Sequence, residues 1–316
     1  MPATKTFDIA VVGELNADLI LRGDVTPAFG QVEKLIDDAT LAIGSSSAIF
    51  ACGAARLGLR VAFIGKVGDD VFGRFMRHEL AARGIDTRSI VVDPALKTGL
   101  TIIFSRQPRP AQSLSDDRAL LTYPGSIAAL RYADVDPGLL AEARHLHLGS
   151  YFLLEALRPD VPALFDAAHA LGLTVSLDTN YDPAEKWDGG LAEALRRVDV
   201  FLPNETELRA VAGQAETEAA LAAMAERVPL VAVKLGPRGA LGRRGAERAQ
   251  AGSLPVSVVD TTGAGDTFDA GLVYGYLANW DLARALRLAC VCGSLSTRAA
   301  GGTSAQPTLP EALAFL

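Results

Sequence analysis

The stretch Asp260-Thr-Thr-Gly-Ala-Gly-Asp-Thr-Phe-Asp-Ala-Gly271 decides how the rest of this chain is interpreted. It follows a strand-like run at residues 254–259 and precedes a run of helix formers at residues 267–279. Gly263 and Gly265 permit a tight turn and the close approach of another group. The helix that follows points its unpaired N–H groups and the positive end of its dipole at whatever lies in front. The pattern therefore predicts an anion site, and phosphate is the usual occupant of such sites.

Asp266 lies in the same turn, where a carboxylate would weaken simple phosphate binding. It is useful there if a hydroxyl must lose its proton while charge builds on a phosphoryl group. The simpler alternative is that Asp266 only caps a helix. A free Asp has a pKa of about 4, and a base that accepts its proton late does not need a strongly shifted pKa.

The composition excludes several classes of protein. The 316-residue chain is 49% hydrophobic and 21% charged, which is ordinary for one large α/β domain or two smaller ones, and its net charge of −7 disfavours a nucleic-acid partner. No apolar run approaches the roughly 18 residues of a membrane span, and the start lacks the apolar core of a secretion signal. Cys52, Cys290 and Cys292 show no Cys-x-x-Cys spacing, so we expect buried thiols, a reducing compartment and a cytoplasmic location.

Strand-like and helix-like segments alternate along most of the chain. This repetition predicts a mostly parallel sheet that is covered by helices on both faces. The predicted strands of this sheet are 7–13, 61–65, 145–149, 173–178, 198–202, 230–235 and 256–259. The predicted helices of the second half are 153–171, 183–196, 204–227, 266–279 and 281–299.

A different pattern occurs at residues 98–105 and 119–123, which are strand-like without a helix between them. Such a pair predicts an antiparallel hairpin. With the irregular segment after Asp18 it would form a small lid beside the main sheet, built from about 17–42 and 98–124. The lid carries Arg106, Arg109 and Arg118; any of them could meet a ligand carboxylate or phosphate, although solvated charges are expected for at least two.

Polar side chains near the start of the chain suggest a site for a hydroxylated ligand. Asn16 and Asp18 have the same parity after the first predicted strand, so they face one way in an extended segment. They either bind sugar hydroxyls or make local turn hydrogen bonds. Gly44, Ser45 and Ser46 open a helix and offer N–H and hydroxyl groups; an ordinary Ser N-cap accounts for only one serine.

Two further segments suggest a nucleotide site. Asn204 and Glu207 have the spacing of a helix capping box, and they could also arrange water around a Mg²⁺ ion bound to nucleotide phosphates. Lys234 ends a predicted strand, and Gly236 and Gly239 in the following turn would let a nucleotide lie against the backbone.

On these residues the chain resembles the ribokinase-like (PfkB) carbohydrate kinases over almost its full length. The matching pieces, in that family's order, are Gly13-Glu-Leu-Asn-Ala-Asp18, residues 44–51, Gly65-Lys-Val-Gly-Asp-Asp-x-Phe-Gly73, Thr98-Gly99, Asp178-x-Asn180, Asn204-Glu-Thr-Glu207, Lys234-x-Gly-x-x-Gly239 and Asp260-Thr-Thr-Gly-Ala-Gly-Asp266. The resemblance implies a single domain, 1–316, folded as a three-layer α/β/α sandwich with a small β-sheet lid that often doubles as a homodimer contact.

The resemblance also implies transfer of the γ-phosphoryl group of ATP to a hydroxyl of a small sugar or sugar acid, with Mg²⁺ as cofactor. Asp266 matches the catalytic base. The other implied roles are the anion hole for Gly263, Ala264 and Gly265; sugar binding for Asn16, Asp18, Gly44, Ser45 and Ser46; and ATP binding for Asn204, Glu207, Lys234, Gly236, Gly239 and Gly265. Glu207 would reach Mg²⁺ through water, and Asp260 and Thr262 match a site for a monovalent cation such as K⁺.

The chain departs from the family pattern at three positions. Ile49 replaces an Asn that often touches sugar, Asp182 replaces an Arg, and Cys290 aligns with an Asn common near adenine. None of them belongs to the implied phosphoryl-transfer residues. Two other functions remain as alternatives: a nucleoside kinase of the same family, and a catalytically silent protein that binds sugar or nucleotide.

Overall fold

The computed structural model describes residues 5–105 and 118–316. Residues 106–117, which include Arg106, Arg109 and the middle of the predicted lid, lie outside the described residues. The strands are β1 Phe7–Val12, β2 Asn16–Arg22, β3 Asp38–Ile43, β4 Val61–Gly68, β5 Ile90–Asp93, β6 Gly99–Ser105, β7 Arg118–Tyr123, β8 Ala143–Leu148, β9 Thr174–Leu177, β10 Val200–Phe201, β11 Leu230–Lys234, β12 Ala240–Arg244 and β13 Glu247–Ala251. The helices are α1 Ser46–Arg56, α2 Val71–Ala82, α3 Pro137–Ala141, α4 Val161–Ala170, α5 Leu191–Leu195, α6 Glu205–Ala212, α7 Thr217–Ala225, α8 Ala264–Leu277, α9 Leu282–Ser296 and α10 Leu309–Leu313.

The main sheet has the order β13-β12-β11-β10-β9-β8-β1-β4-β5. Every pair from β11 to β5 is parallel, whereas β12 and β13 are added to one edge in antiparallel hairpins. The predicted mostly parallel sheet is therefore confirmed. Because parallel strands end at the same edge, the segments that follow β1, β9 and β11 come together there.

Alternating side chains of the central strand β1 enter two separate hydrophobic clusters. Ile9 and Val11 pack in a cluster with side chains of α1, α8 and α9. Ala10 and Val12 pack on the opposite face with side chains of α3, α4 and α7. The sheet is thus the middle of three layers, and its strands are apolar on both faces. No helix within the described residues is long and apolar enough to cross a membrane.

A second sheet has the order β3-β2-β6-β7 and occupies the position predicted for the lid. β6 and β7 pair antiparallel, as their sequence predicted, and β2 joins β6 in parallel. The segment after Asp18, interpreted from sequence as irregular, contains β3, which pairs antiparallel with β2. This small sheet comprises four strands among the described residues.

The prediction of a strand at 256–259 was wrong. The segment is extended, but the N–H of Leu254 donates to Ser294 Oγ at 3.0 Å and the N–H of Val259 donates to Thr297 O at 2.8 Å. It is therefore held against the end of α9 and pairs with no neighbouring strand among the described residues. Pro255 removes one backbone donor that a ladder would need.

Three predicted helices are shorter than expected. Residues 204–227 form two helices, because Gly213 ends α6 with a left-handed φ of 64°. Residues 183–190 are a turn in which Asp182 accepts the N–H groups of Ala184, Lys186 and Trp187, so only α5 remains of the helix predicted at 183–196. Within 153–171, the α-helix is restricted to α4.

Candidate active site

The turn that begins α8 depends on a glycine at its N-cap. Gly263 has φ 72°, and a Cβ atom there would lie 2.8 Å from Gly302 Cα and 2.8 Å from Ile49 Cγ2. Ala264 donates its N–H to Thr261 O at 3.2 Å, which closes the turn. Among the described residues, the N–H groups of Gly263 and Gly265 make no hydrogen bond. These two amides are therefore available to an anion.

This turn separates two cavities. The polar cavity has a volume of about 400 Å³ and is lined by Gly263 and Asp266 together with Glu14, Asn16, Asp18, Ser45, Ser46, Ile49, Thr101, Ile103, Leu120, Thr122, Ile127, Leu153, Asn180 and Thr262. The apolar cavity has a volume of about 390 Å³ and is lined by Ala264 and Gly265 together with Lys234, Gly236, Pro237, Gly239, Ser253, Leu254, Pro255, Val256, Val258, Thr261, Phe268, Cys290, Gly293, Ser294 and Thr297. One turn of backbone thus contacts two potential ligands.

The small sheet contributes a row of polar groups to the polar cavity. Asn16 Nδ2 donates to Asp18 Oδ1 at 3.0 Å and to Thr101 Oγ1 at 3.2 Å, and Thr101 Oγ1 lies 3.2 Å from Thr122 Oγ1. Burial raises the pKa of Asp18 to about 7, although hydrogen bonds from Asn16 and Thr101 lower it. The shared face expected from the parity of Asn16 and Asp18 is present.

The loop before α1 brings backbone against these side chains. A Cβ atom on Gly44 would lie 2.1 Å from Asp18 Oδ1 and 2.5 Å from Asn16 Nδ2, so a larger residue would displace these two side chains. Ser45 is the N-cap of α1, accepts the N–H of Ala48 at 2.9 Å and donates to Glu14 O at 2.6 Å. Glu14 is 2% exposed, and burial raises its pKa. Ser47 and Ser150 both donate to the Glu14 carboxylate, which fixes the loop.

Asp266 is partly exposed to the polar cavity but is otherwise surrounded by protein. Loss of hydration and the nearby Asp178 carboxylate raise its pKa to about 8, against the opposing effects of the Lys234 ammonium and the Ser46 hydroxyl. The pKa is therefore well above that of a free Asp, a shift that the sequence did not require. Ser46 Oγ also accepts a hydrogen bond from Asn180 Nδ2 at 3.1 Å, so Asn180 joins this group.

Lys234 at the end of β11 has two carboxylate partners. Its Nζ lies 2.9 Å from Asp178 Oδ2 and 3.0 Å from Asp269 Oδ2. All three side chains are at most 13% exposed. Lys234 lines the apolar cavity with Gly236 and Gly239, as its position in the sequence suggested, but its ammonium is directed to these acids.

Asn204 and Glu207 lie next to this strand end. Asn204 is the N-cap of α6: its Oδ1 accepts the N–H of Glu207 at 2.9 Å, and Glu207 Oε2 accepts the N–H of Asn204 at 2.8 Å. The capping box anticipated from the spacing is present. Glu207 is 4% exposed, and burial raises its pKa to about 7. Neither residue lines the apolar cavity.

Asp260 and Thr262 form a tight bracket beside the α8 turn. Asp260 Oδ1 accepts the N–H and the hydroxyl of Thr262 at 2.9 and 2.7 Å. Asp260 Oδ2 accepts the N–H of Gly301 at 3.0 Å. The carboxylate therefore joins the turn to the segment after α9.

The three departures from the family pattern have different surroundings. Ile49 lines the polar cavity and packs against Gly263 and Gly302. Asp182 is a buried brace of its own turn and is not part of either cavity wall. Cys290 lies in the wall of the apolar cavity, where burial raises its pKa to about 12. All three cysteines are buried, as expected.

Sequence reasoning missed several residues of the site. Glu14 lies within the Gly13–Asp18 motif but received no role from it, and Thr101 belongs to no motif, because the role of each depends on long-range neighbours. Asp269 had a usable signal: it follows Asp266 by three positions on α8, which places both on one face of the helix.

Comparisons with known proteins agree with this arrangement. Residues 6–309 match the family model described as pfkB family carbohydrate kinase. The chain is 34% identical over 280 residues to a fructokinase of Klebsiella pneumoniae, covering 84% of this chain and 88% of that protein. It is 32% identical over 306 residues to an ATP-dependent ribose-1-phosphate kinase of Halopiger xanaduensis, covering 96% of each.

A solved structure is similar over the whole fold. An E. coli protein assigned as ribokinase II, in complex with ATP and Mg²⁺, matches with a TM-score of 0.83 and 27% identity over 98% of both chains. With the sheet order and the two hydrophobic clusters, this similarity confirms the predicted three-layer α/β fold with a smaller second sheet.

Proposed function

The chain belongs to the pfkB family of carbohydrate kinases, and we propose that it transfers the γ-phosphoryl group of ATP to a hydroxyl of a small neutral sugar, with Asp266 as general base. The observation that carries this proposal is the α8 turn. Asp266 and Gly263 line the polar cavity, while Gly265 lines the apolar cavity on the other side. A sugar hydroxyl and a γ-phosphate placed in the two cavities would meet at this turn.

In this proposal the turn supplies both a base and an anion hole. A hydroxyl beside Asp266 becomes acidic as its bond to phosphorus forms, and the carboxylate accepts the proton late in a loose transition state. A pKa of about 8 places Asp266 closer to a neutral working pH than a free Asp, which suits a general base. The amides of Gly263 and Gly265 stabilise the charge on the transferred group, with Ala264 holding the turn closed.

The apolar cavity is the proposed site of the nucleotide. Gly239 has φ 90°, and a Cβ atom there would lie 2.0 Å from Ala251 O, so glycine lets the β11–β12 turn pack against the end of β13 and form part of the cavity wall. Gly236 leaves open space at the same turn. Lys234 and the wall that contains Cys290 complete the site.

The family's Mg²⁺ fits the oxygen donors beside this cavity. Both Glu207 oxygens and Asn204 Oδ1 already accept hydrogen bonds within the capping box, so they suit an ion that keeps its own water ligands. Glu207 would hold Mg²⁺ through water. When bound, the ion offsets negative charge on the nucleotide phosphates.

A neutral acceptor is favoured by the charges around the polar cavity. Glu14, Asp18 and Asp266 are acidic, and no Lys or Arg belongs to the described lining. A sugar acid or sugar phosphate would therefore meet acidic groups without a described cation. The same lining contains no aromatic side chain on which a nucleoside base could stack. Asn16, Asp18 and Thr101 offer both donors and acceptors to sugar hydroxyls, with the Gly44–Ser46 loop beside them.

The family's monovalent cation is proposed to lie at Asp260 and Thr262. Carboxylate and hydroxyl oxygens are the hard donors that such a cation prefers. Turnover measured in K⁺ should exceed turnover in tetramethylammonium at equal ionic strength. Equal rates in the two salts would refute this part of the proposal.

The proposal as a whole is tested by an ATP-consumption screen over neutral aldoses and ketoses, aldonic and keto-deoxy acids, sugar phosphates and nucleosides. We expect neutral sugars to give the highest kcat/KM. Preference for an acid, a phosphate or a nucleoside would refute the acceptor class while leaving the kinase assignment intact. Absence of sugar-dependent ATP consumption, with ATP still bound, would refute catalysis.

A further inference from the structure

Three carboxyl groups converge beneath the first turn of α8. One oxygen each of Asp178, Asp266 and Asp269 lies within 4.8 Å of the others. Carboxylates at this spacing with little hydration repel one another, and a metal ion commonly offsets that repulsion. In this chain the ammonium of Lys234 lies among them, in contact with Asp178 at 2.9 Å and Asp269 at 3.0 Å.

Lys234 is held at both ends. Its backbone N–H donates to Pro203 O at 3.0 Å, and its residue pairs with Ala240 in the β11–β12 hairpin. Its stem runs beneath the anion-hole turn, because a Cβ atom on Gly265 would lie 3.6 Å from Lys234 Cδ. The side chain thus extends from the main sheet to the first turn of α8. The contacts with Asp178 and Asp269 hold its ammonium in place.

The surroundings fix the charges of this cluster. Burial alone would raise the pKa of Asp178, but the Lys234 ammonium and local hydrogen bonds hold it below its usual value. Burial and the neighbouring Asp178 raise the pKa of Asp269 well above its usual range. Asp178 is therefore the acid of the cluster that ionises most readily, whereas Asp269, whose Oδ2 lies 3.0 Å from the same ammonium, keeps its proton more readily than a free Asp does. Asp266 is influenced by Asp178, Lys234 and Glu14, and its pKa of about 8 makes it the acid of the cluster whose charge changes near neutral pH.

We propose that Lys234 is a positioning residue for the phosphoryl-transfer reaction. With Asp178 and Asp269 it forms a built-in cation site, in which the ammonium takes the place of a metal ion, favours the ionised form of Asp266 and orients that carboxylate toward the acceptor hydroxyl. This inference rests on the proposed role of Asp266 as base. Lys234 would then act on the carboxylate of Asp266 in addition to lining the proposed nucleotide cavity.

The test is the pH dependence of kcat/KM for the sugar, which reports groups of the free enzyme. Activity should fall as pH drops through the pKa of Asp266, since the protonated acid cannot accept a proton. Lys234→Met removes a positive charge and should move this acidic limb upward by on the order of one pH unit. Asp178→Asn removes a negative charge and should move the limb downward by a similar amount.

Lys234→Met should therefore lose about tenfold in kcat/KM on the acidic limb and recover toward the native value at high pH. Lys234→Arg keeps the charge and should retain a native limb. Asp269→Asn removes the carboxyl group that ionises least readily, so its limb should move less than that of Asp178→Asn. A lysine with a purely structural role would instead lower kcat/KM equally at every pH, and that result would overturn the inference.

If Lys234→Met does not fold, the double variant Lys234→Met/Asp178→Asn provides the test. It removes both charges of the ion pair, so its acidic limb should lie near the native pH, whereas the limb of Asp178→Asn alone should be displaced. Equal limbs in these two variants would overturn the inference. Failure of the function itself is distinct: it appears as a native enzyme that phosphorylates no sugar, or as an active Asp266→Asn enzyme.

Discussion

At the scale of single residues, Gly263 meets a double steric demand at the start of α8. It combines a left-handed φ of 72° with backbone of Gly302 at 2.8 Å from any Cβ atom. Gly263→Ala should lower the free energy of unfolding by about 1–3 kcal/mol and should reduce kcat by displacing the Asp266 turn. Urea unfolding and steady-state kinetics of the same preparation measure both effects.

Gly84 provides a matched control. Its φ is 76°, but nothing lies within 4 Å of the position of its Cβ atom. Gly84→Ala should therefore show the backbone strain alone, about 1 kcal/mol, with native kcat. If both variants keep native turnover, the close fit at Gly263 is not needed for catalysis.

The residues of the site that the sequence revealed are those whose role is carried by local backbone chemistry. Gly263, Asp266 and Asn204 belong to short patterns that have a physical meaning by themselves. The pKa of Asp266 could not be predicted, because it depends on burial and on Asp178, which is 88 positions earlier in the chain (266 minus 178). Lys234 was found, but its carboxylate partners were not, for the same reason.

At the scale of elements, α8 carries the proposed catalytic turn and packs closely on α9. A Cβ atom on Gly271 would lie 2.9 Å from Ala289 Cα, so the two helix backbones approach each other without space for a larger residue. Gly271→Val should destabilise the fold by about 1–3 kcal/mol and should also lower kcat, because it tilts the helix that holds Asp266.

Ala278→Val tests the specificity of that effect. Ala278 is exposed at the C-terminal end of the same helix, so the change should alter stability by less than about 0.5 kcal/mol and leave kcat unchanged. Thermal unfolding of both variants gives the comparison. Equal destabilisation would show that helix propensity, and not the α8–α9 contact, controls the result.

Element prediction succeeded where periodicity and end signals agreed. The strands β1, β9 and β11, which end at the same edge of the main sheet, and the start of α8 were predicted for this reason. The segment 254–259 has the composition of a strand, but the sheet already ends at β13, so its backbone bonds to α9 instead. The helix predicted at 204–227 contains Gly213, whose left-handed conformation permits a break that apolar spacing alone does not reveal.

At the scale of the whole molecule, the small sheet exposes apolar side chains. Leu120 is 61% exposed, Leu121 62% and Tyr123 53% on β7, and Leu35, which precedes β3 at the other edge of this sheet, is 87% exposed. Exposed apolar groups of this kind mark interaction surfaces. We propose a homodimer through this sheet, so sedimentation should give a dimer at micromolar concentration, and Leu35→Asp/Leu121→Asp should give a monomer.

Val71→Asp is the control for that experiment, since Val71 is 63% exposed on α2 and lies outside the small sheet. It should remain dimeric. A native protein that sediments as a monomer, or a Val71→Asp variant that dissociates equally, would contradict the proposed contact.

The substrate was the property least accessible to sequence. The polar cavity is assembled from the small sheet, the α1 loop and the α8 turn, so its charge balance appears only when distant segments are brought together. Ile49 shows the difficulty. In the sequence it only marks the absence of an Asn that often touches sugar in the family, whereas in the fold it packs on Gly263 and forms part of the cavity wall. The acidic lining is the observation on which we propose a neutral sugar rather than a sugar acid as the acceptor.

The central claim, that Asp266 is the base of a sugar kinase, is tested most directly by Asp266→Asn with the sugar identified in the substrate screen. Asp136→Asn is the matched control, because Asp136 is the N-cap of α3 and Asn serves equally well there. We predict that Asp266→Asn binds ATP with native affinity by calorimetry and loses at least about 100-fold in kcat, while Asp136→Asn is fully active. Native turnover in Asp266→Asn would contradict the account.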